Sequence, residues 1–420
     1  MQTTPPSAPD PARCDVLVIG AGPAGSAAAQ HLAAAGLDVL LVDQHDFPRD
    51  KVCGDGLIPD THAAFKRLGV QDEVAALATP VQHVRCVGPR GGHIDIPGTL
   101  SVLQRKTLDH ILVRAAQRAG ARLATPLRFE APIVENERVV GARLKRGEVG
   151  VEVRAPWTLL ATGAVPTALM AAGLCDRHTP SGVALRGYVK CDAMVGRIAQ
   201  LQIAWHPRMR GGYGWIFPAP GGMFNIGAGL TGSHVKQSDG RGRRESVNLK
   251  SFFQAFCDVY APARELMASG TLQGELKGAP LRCSLIGGRW SRPGLLATGE
   301  AAGSTYAFSG EGIGKAMETG MLAAEALLSQ RAGWARPGAG AAADAPVQFH
   351  YAAAMQALKP KFDLYETASH VNHHPWLADL VVWRGRRSPR ILQRLSGVLE
   401  ETQNPGRLFT WSGVTKLMFE

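Results

Sequence analysis

Val16–Asp43 reads V-L-V-I-G-A-G-P-A-G-S-A-A-A-Q-H-L-A-A-A-G-L-D-V-L-L-V-D. An apolar, β-branched run ends at Ile19. Gly20, Gly22 and Gly25 follow at the two- and three-residue spacing of a dinucleotide fingerprint, and an Ala-rich helical segment comes next. In that order of strand, turn and helix, Gly20 permits the turn, Gly22 lets backbone approach a pyrophosphate, and Gly25 lets helix and strand pack closely. Pro23 and Ala24 open the helix, whose positive end faces the phosphates. Gly36 stops the helix, and a second apolar run, Val39–Val42, ends in Asp43, the place of a ribose-binding acid, with Gln44 beside it. A glycine triplet by itself also suits an ordinary βα turn. The frame of two strands, a helix and a terminal acid selects dinucleotide binding.

Around this unit, the chain of 420 residues is long enough for two or three lobes, and its 45 % hydrophobic content is that of an ordinary globular protein. No apolar run is long enough to span a bilayer, and the N-terminus lacks a secretory pattern. Met1–Arg13, with Pro5, Pro6, Pro9 and Pro11, reads as a disordered lead-in. Seven cysteines without repeating spacing make neither a disulfide framework nor a C-x-x-C zinc pattern, so a reducing cytoplasm and no bound metal are expected. Lys and Arg exceed Asp and Glu by 11, 46 against 35. That positive field suits an anionic membrane or an acidic substrate. No zinc finger, RNA-binding sheet motif or basic zipper accompanies it, so no nucleic-acid partner is expected.

After Asp43 the loop Q-H-D-F-P-R-D-K-V-C-G-D-G-L gathers Lys51, Cys53, Gly54 and Asp55 in a stretch that Pro48, Gly54 and Gly56 keep irregular. Thr61–Leu68 reads as a helix stopped by Gly69, and Val81–Ile96 as a hairpin. Leu108–Ala119 has helical periodicity, with Arg105 just ahead of it where a phosphate could bind. Segments 128–144 and 150–157 alternate like antiparallel strands, and a short buried strand then meets Thr162 and Gly163. Gly182–Gly229, containing Y-G-W-I-F-P from Tyr213, is rich in aromatic, β-branched and glycine residues and reads as a mostly antiparallel sheet. Arg241–Arg244 reads as a solvated basic loop, and Val247–Tyr260 as a helix. Leu295–Ala297 is a strand followed by T-G-E-A-A-G, then by S-G-E-G-I-G and a helix over Ile313–Leu328, a second helix start with backbone donors gathered at it. The expected class is α/β. A Rossmann-like domain is built from 14–80, 101–165 and 294–330, with an inserted, mostly antiparallel substrate domain from the 81–100 hairpin and 166–293. A linker over 331–346 and a helical C-terminal region over 347–420 complete the chain.

Gly20, Gly22, Gly25 and Asp43, the loop K-V-C-G-D-G-L, Arg105, Y-G-W-I-F-P and T-G-E-A-A-G together resemble the FAD-dependent geranylgeranyl reductases of the hydroxylase-like flavoprotein superfamily, over about residues 14–325. The glycine motif is generic, whereas the C-G-D-G loop combined with Y-G-W-I-F-P is far more specific. The resemblance implies that FAD is surrounded by Gly20, Gly22, Pro23, Ala24, Gly25, Asp43, Gln44, Lys51, Cys53, Gly54, Arg105, Ala161, Thr162, Gly163, Gly299 and Glu300. Asp43 would meet the adenosine ribose, Arg105 the phosphates or ribityl chain, and the span Gly310 to Ile313, with Gly310, Gly312 and Ile313 as contacts, the isoalloxazine ring. Tyr213, Trp215 and Phe217, with Phe308, would roof the flavin and line an apolar tunnel. Two departures matter. A-T-G-A-V-P over 161–166 replaces the motif through which the superfamily's hydroxylases engage flavin and NADPH, which weakens a hydroxylase reading and leaves NAD(P)H as one option for the electron donor. Glu300 stands where Asp is usual. Halogenases of the superfamily carry Trp-x-Trp-x-Ile-Pro, and here only Trp215 occupies that context.

Members of the family reduce carbon–carbon double bonds of polyprenyl chains. That reaction needs hydride from flavin N5 on one carbon, a proton on the other, and exclusion of water. Cys53 is then a wall or proton relay, or else a buried small hydrophobe. Lys51 is a cation near flavin or substrate phosphate, or a solvated loop charge. Tyr213 and Trp215 are further candidates for the chemistry; with Phe217 they share one strand face and line the tunnel or fill core. His373 and His374 have no second cluster at metal-ligand spacing. W-R-G-R-R-S-P-R-I-L-Q-R, Trp383–Arg394, either lies on an anionic membrane or is a solvated helix pair broken at Pro389. The leading reading is an FAD-dependent oxidoreductase that reduces double bonds of a polyprenyl lipid or quinone side chain, cytoplasmic with an option of membrane contact. The alternatives are a monooxygenase or halogenase, and a flavoprotein that binds a partner without turnover.

Overall fold

In the computed structural model, which describes residues 13–175, 180–231, 248–334 and 340–403, Val16–Ile19 lies inside a six-stranded sheet. The order is Ser291–Arg292, Leu295–Ala297, Trp157–Leu160, Val16–Ile19, Val39–Val42, Arg122–Ala124, parallel throughout except for the first pair. Both faces are covered, which explains why the runs are apolar without alternation. Val16 and Val18 pack with Ala28 and Leu32 of the fingerprint helix Pro23–Ala34 and with Ala323 and Leu327 of a late helix, Ile313–Ser329. Leu17 and Ile19 point the other way, onto Val139, Leu144 and Val153 of a three-stranded antiparallel sheet, Arg128–Glu135, Arg138–Arg146 and Val149–Arg154. The two helices touch closely: a Cβ on Gly320 would stand 2.2 Å from the Ala24 carbonyl oxygen.

The second sheet has eight strands, ordered Thr271–Leu281, Gly182–Lys190, Met223–Thr231, Gly212–Ala219, Leu201–Ala204, Thr79–Val87, His93–Val102, Gly56–Leu57. It is antiparallel except where Leu201–Ala204 runs beside Thr79–Val87. One face buries Ile216 and Ile226 against Phe252, Phe256 and Leu266 of the helices Leu249–Val259 and Ala261–Ser269. Gly214 lies directly beneath the Phe256 ring, where a Cβ would be 2.2 Å away. The opposite face carries Tyr213, Trp215 and Phe217.

Some expectations need refinement. Tyr213–Gly229 is a hairpin that turns at Gly221 and Gly222, both at positive φ. Arg105 is the first residue of its helix, Arg105–Arg118, rather than a residue preceding it. The C-terminal region forms helices Ala345–Ala368, Trp376–Gly385 and Pro389–Leu399, with the expected break at Pro389. The last pair is not simply solvated, because Val382, Ile391 and Leu395 bury against Ile94 and Ile96 of the second sheet. Among the described residues no helix is long and apolar enough to cross a membrane. Residues 1–12 of the lead-in, the Arg241–Arg244 loop, part of the linker and the chain after residue 403 lie outside the described residues.

Candidate active site

Where Val16–Ile19 ends, Gly20 turns at φ +102°; a Cβ there would stand 2.3 Å from the Ala161 carbonyl oxygen. The fingerprint helix starts at Gly22 with no side-chain cap and no acid in its first turn, so its amide donors are available to an anion. The guanidiniums of Arg49 and Arg105 reach to 3.7 and 3.8 Å from the place of a Gly22 Cβ. Asp109 holds both: Arg105 Nε and Nη2 donate to it at 2.6 and 2.8 Å, and Arg49 Nη1 at 2.9 Å. Asp43 is set by the Ala21 and His45 amides, which donate to Oδ2 and Oδ1 at 2.9 and 3.0 Å. A cavity of about 810 Å³ begins here. On its wall, Thr162 Oγ1 is buried without a hydrogen-bond partner among the described residues. Open amides, two cations and an orphan hydroxyl fit the diphosphate and ribityl end of FAD.

The same cavity continues under the aromatic strand Gly212–Ala219. The Tyr213 and Trp215 rings lie 6.2 Å apart, those of Trp215 and Phe217 6.4 Å apart, and Trp205 stacks on Phe308 at 6.2 Å. The Tyr213 hydroxyl donates to the Ser309 carbonyl and so pins the Ser309–Gly312 loop against the strand. Gly310, at φ +70°, passes beneath that hydroxyl, where a Cβ would be 2.9 Å away.

From the other side comes the Cys53–Gly56 loop; a Cβ on Gly54 would stand 3.2 Å from the Phe217 ring. A buried network ties it down. Asp55 Oδ2 accepts from the Tyr188 hydroxyl at 2.6 Å and from Asn225 Nδ2 at 2.8 Å; the same amide reaches the Cys53 carbonyl at 2.7 Å, and Trp215 Nε1 donates to Asn225 Oδ1 at 2.9 Å. Burial pushes the Asp55 carboxyl up to about 6, against the pull of Tyr188, Asn225, Arg186 and Arg105. Asp55→Ala leaves the Tyr188 hydroxyl without its acceptor and the Asn225 amide with the Cys53 carbonyl alone, and is expected to cost about 3 kcal/mol. Asp55→Asn keeps an acceptor and a residue at ease at φ +64°, so its cost stays below about 1 kcal/mol. Urea unfolding of the two variants checks the difference.

Every residue expected at the site from the sequence lines this one cavity except Gly25 and Gly299, which stand behind its wall. A Cβ on Gly25 would be 1.8 Å from the Gly20 carbonyl oxygen, and one on Gly299 2.6 Å from the Ala24 Cβ, so both serve close packing. Cys53 is half-buried between Arg105 and the apolar cluster containing Leu57 and Leu103. The Lys51 ammonium reaches the Val52 carbonyl at 3.4 Å, while the Lys51 carbonyl accepts from buried Arg186 at 3.2 Å. Glu300 Oε1 accepts from the Arg282 amide at 3.4 Å and the Thr305 hydroxyl at 3.3 Å. Arg49, Asp109, Tyr188 and Asn225 escaped the sequence reading. Glu311 fell inside the span expected beside the ring but received no role of its own, although a carboxylate between two glycines at a helix start was its signal.

Residues 13–199 match the family described as FAD binding domain. A menaquinone reductase from Mycolicibacterium smegmatis is 33 % identical over 337 residues, 76 % of this chain and 77 % of that protein. Digeranylgeranylglycerophospholipid reductase 1 from Methanopyrus kandleri is 29 % identical over 317 residues, 75 % of this chain and 80 % of that protein. The solved structure of a geranylgeranyl bacteriochlorophyll reductase-like protein from Thermoplasma acidophilum shares the fold with a TM-score of 0.70 at 22 % identity, over 97 % of this chain and 96 % of that one. A flavin-dependent brominase shares it too, with a TM-score of 0.72 at 19 % identity over 97 % and 98 % of the two chains. At this similarity to curated reductases, and with a cradle that suits the cofactor, the protein is an FAD-dependent oxidoreductase belonging to the geranylgeranyl reductase family, within the hydroxylase-like flavoproteins.

Proposed function

We propose that the protein reduces carbon–carbon double bonds of a polyprenyl lipid or of the polyprenyl side chain of a quinone. The observation that carries this reading is the continuity of one cavity from Gly22, past the aromatic strand, to an apolar wall of Val381, Val382, Leu395 and Val398. A long hydrocarbon chain can lie along it with an unsaturated bond at the aromatic strand. Bound FAD supplies hydride at N5 of its reduced ring. In this reading Arg49 and Arg105 hold the diphosphate and Asp43, with Gln44, the ribose. Glu300, Gly310, Gly312 and Ile313 border the ring, while Tyr213, Trp215, Phe217 and Phe308 hold the alkene and exclude water. Cys53 walls the ring from the loop side. The names of the reductase relatives favour isoprenoid substrates, and NAD(P)H is the electron donor to test first. The halogenase alternative has the shared fold behind it, without the double-tryptophan signature.

Peripheral contact with an anionic membrane belongs to the same proposal. Trp376 and Trp383 are exposed on the helix whose Val381 and Val382 wall the cavity, and the Arg384 and Arg387 guanidiniums lie 5.3 and 4.7 Å from the Trp383 ring. Phe217→Ala is expected to raise KM for a polyprenyl substrate about tenfold, the loss of roughly 1.5 kcal/mol of apolar contact, with FAD affinity unchanged. Steady-state kinetics and a flavin titration read the two effects separately. The reading itself is tested by mass spectrometry of lipids from cells lacking the protein. A polyprenyl lipid or quinone that retains a double bond saturated in the parent cells supports it, and an unchanged lipid profile overturns it.

A further inference from the structure

Addition of hydride to an alkene leaves the second carbon in need of a proton, and a carboxyl group at the aromatic end of the cavity has no part in the cofactor cradle. Glu311 lines the cavity between Gly310 and Gly312, together with Tyr213, Phe308 and Ile313. Its place is fixed: the Tyr306 amide donates to the Glu311 carbonyl at 2.9 Å, and the Gly310 amide to the Tyr306 carbonyl at 2.9 Å. The charged groups facing it are Asp60 from the helix Pro59–Leu68, Glu401 beyond the last helix, and Lys315 of the late helix; Tyr213, Tyr306 and Tyr365 are its titratable neighbours from the aromatic strand, the loop ahead of Glu311 and the helix Ala345–Ala368. Lys315 is engaged by other carboxylates, lying 2.7 Å from Glu318, 3.2 Å from Glu401 and 3.7 Å from Asp60. Burial, with Asp60 and Glu401 adding to it, therefore outweighs the Ser309 hydroxyl and the shared cation and pushes the Glu311 carboxyl up to about 8. The cluster leads outward. Glu401 contacts Lys361 at 2.6 Å, and the Lys361 and Glu318 side chains are 29 % and 32 % exposed.

We propose that Glu311 is the general acid of the reduction, giving its proton to the alkene carbon opposite the one that receives hydride. The inference rests on the reductase reading. The hydride from reduced FAD brings its electron pair to one carbon. The π pair of the alkene forms the second C–H bond with the Glu311 proton as its O–H bond breaks, which leaves a carboxylate on Glu311. Water returns the proton through the Glu318, Glu401 and Asp60 cluster. One alkene, one hydride and one proton thus become one saturated bond.

The test compares the FAD-loaded wild type with Glu311→Gln and Glu311→Asp. Each is reduced anaerobically and mixed with menaquinol, whose ring is already reduced, or with digeranylgeranylglycerophospholipid in micelles. Glu311→Gln is expected to slow flavin reoxidation at least about 100-fold with FAD affinity unchanged, and Glu311→Asp to restore part of the rate. A second readout needs no turnover. Infrared difference spectra of the wild type with and without FAD should contain the carbonyl band of a protonated carboxyl group at neutral pH, lost with a midpoint of about 8 and missing from Glu311→Gln. A Glu311→Gln variant that reoxidises as fast as the wild type overturns the assignment and leaves the reductase reading standing. So does a wild type without the titrating band. A wild type inert to both lipids removes the reductase reading and this assignment with it.

Discussion

Replacing Gly25 by Val is expected to give a protein that takes up no FAD and unfolds at much lower urea concentration than the wild type. A Cβ at this position would stand 1.8 Å from the Gly20 carbonyl oxygen and 3.2 Å from the Ala161 Cβ. Neither neighbour is free to yield, because the Gly20 amide donates to the Val42 carbonyl and the Ala161 amide to the Ile19 carbonyl, both at 2.8 Å. The fingerprint helix must therefore lift from the sheet, and overpacking against backbone costs about 3 kcal/mol or more. The junction also positions the Gly22 amides, so cofactor binding is lost with it. Gly36→Ala is the control. Nothing lies within 4 Å of its Cβ, and its φ of +77° limits the effect to about 1–2 kcal/mol with FAD uptake intact. Urea unfolding and flavin fluorescence titration measure both variants.

Asp109→Ala is expected to destabilise the apoprotein by about 3–5 kcal/mol and the FAD-loaded protein by clearly less. The Asp109 side chain is fully buried, and its removal leaves the Arg49 guanidinium, 12 % exposed, with Asp43 at 3.4 Å and takes from the Arg105 guanidinium, 9 % exposed, the carboxylate it is paired with. Breaking a buried pair on one side is costly because the remaining charge keeps its desolvation penalty. A diphosphate over Gly22 returns negative charge to the same two guanidiniums. Melting temperatures of wild type and variant, each with and without FAD, read the difference. An equal drop in both states would mean that the diphosphate lies elsewhere.

The sequence made legible what short-range chemistry encodes. Val16–Asp43 announces strand, turn, helix and strand because each step has a local reason, and alternation of Tyr213, Trp215 and Phe217 places three rings on one face. Gly25 and Gly299 were legible as glycines, while their place behind the cavity wall depends on how Ala24, Gly20 and Ala161 meet in space. Arg49 and Asp109 are 60 residues apart, and Tyr188 reaches Asp55 across 133; such pairs leave no periodic trace in the chain. The arginine-rich tail reads either as membrane-facing or as a solvated helix pair, and the burial of Ile391 against Ile94 and Ile96 depends on a distant hairpin that the tail's own residues do not announce.

The central claim is that one cavity brings an alkene against a flavin without oxygen. Its most direct test mixes photoreduced, FAD-loaded protein with a polyprenyl quinol, whose ring is already reduced, or a polyprenyl lipid under strict anaerobiosis and follows both flavin absorbance and product mass. Return of the oxidised flavin spectrum together with a product that has gained two hydrogens and no oxygen is the expected result. A flavin that stays reduced until dioxygen is admitted, with oxygen or halide appearing in the product, would contradict it.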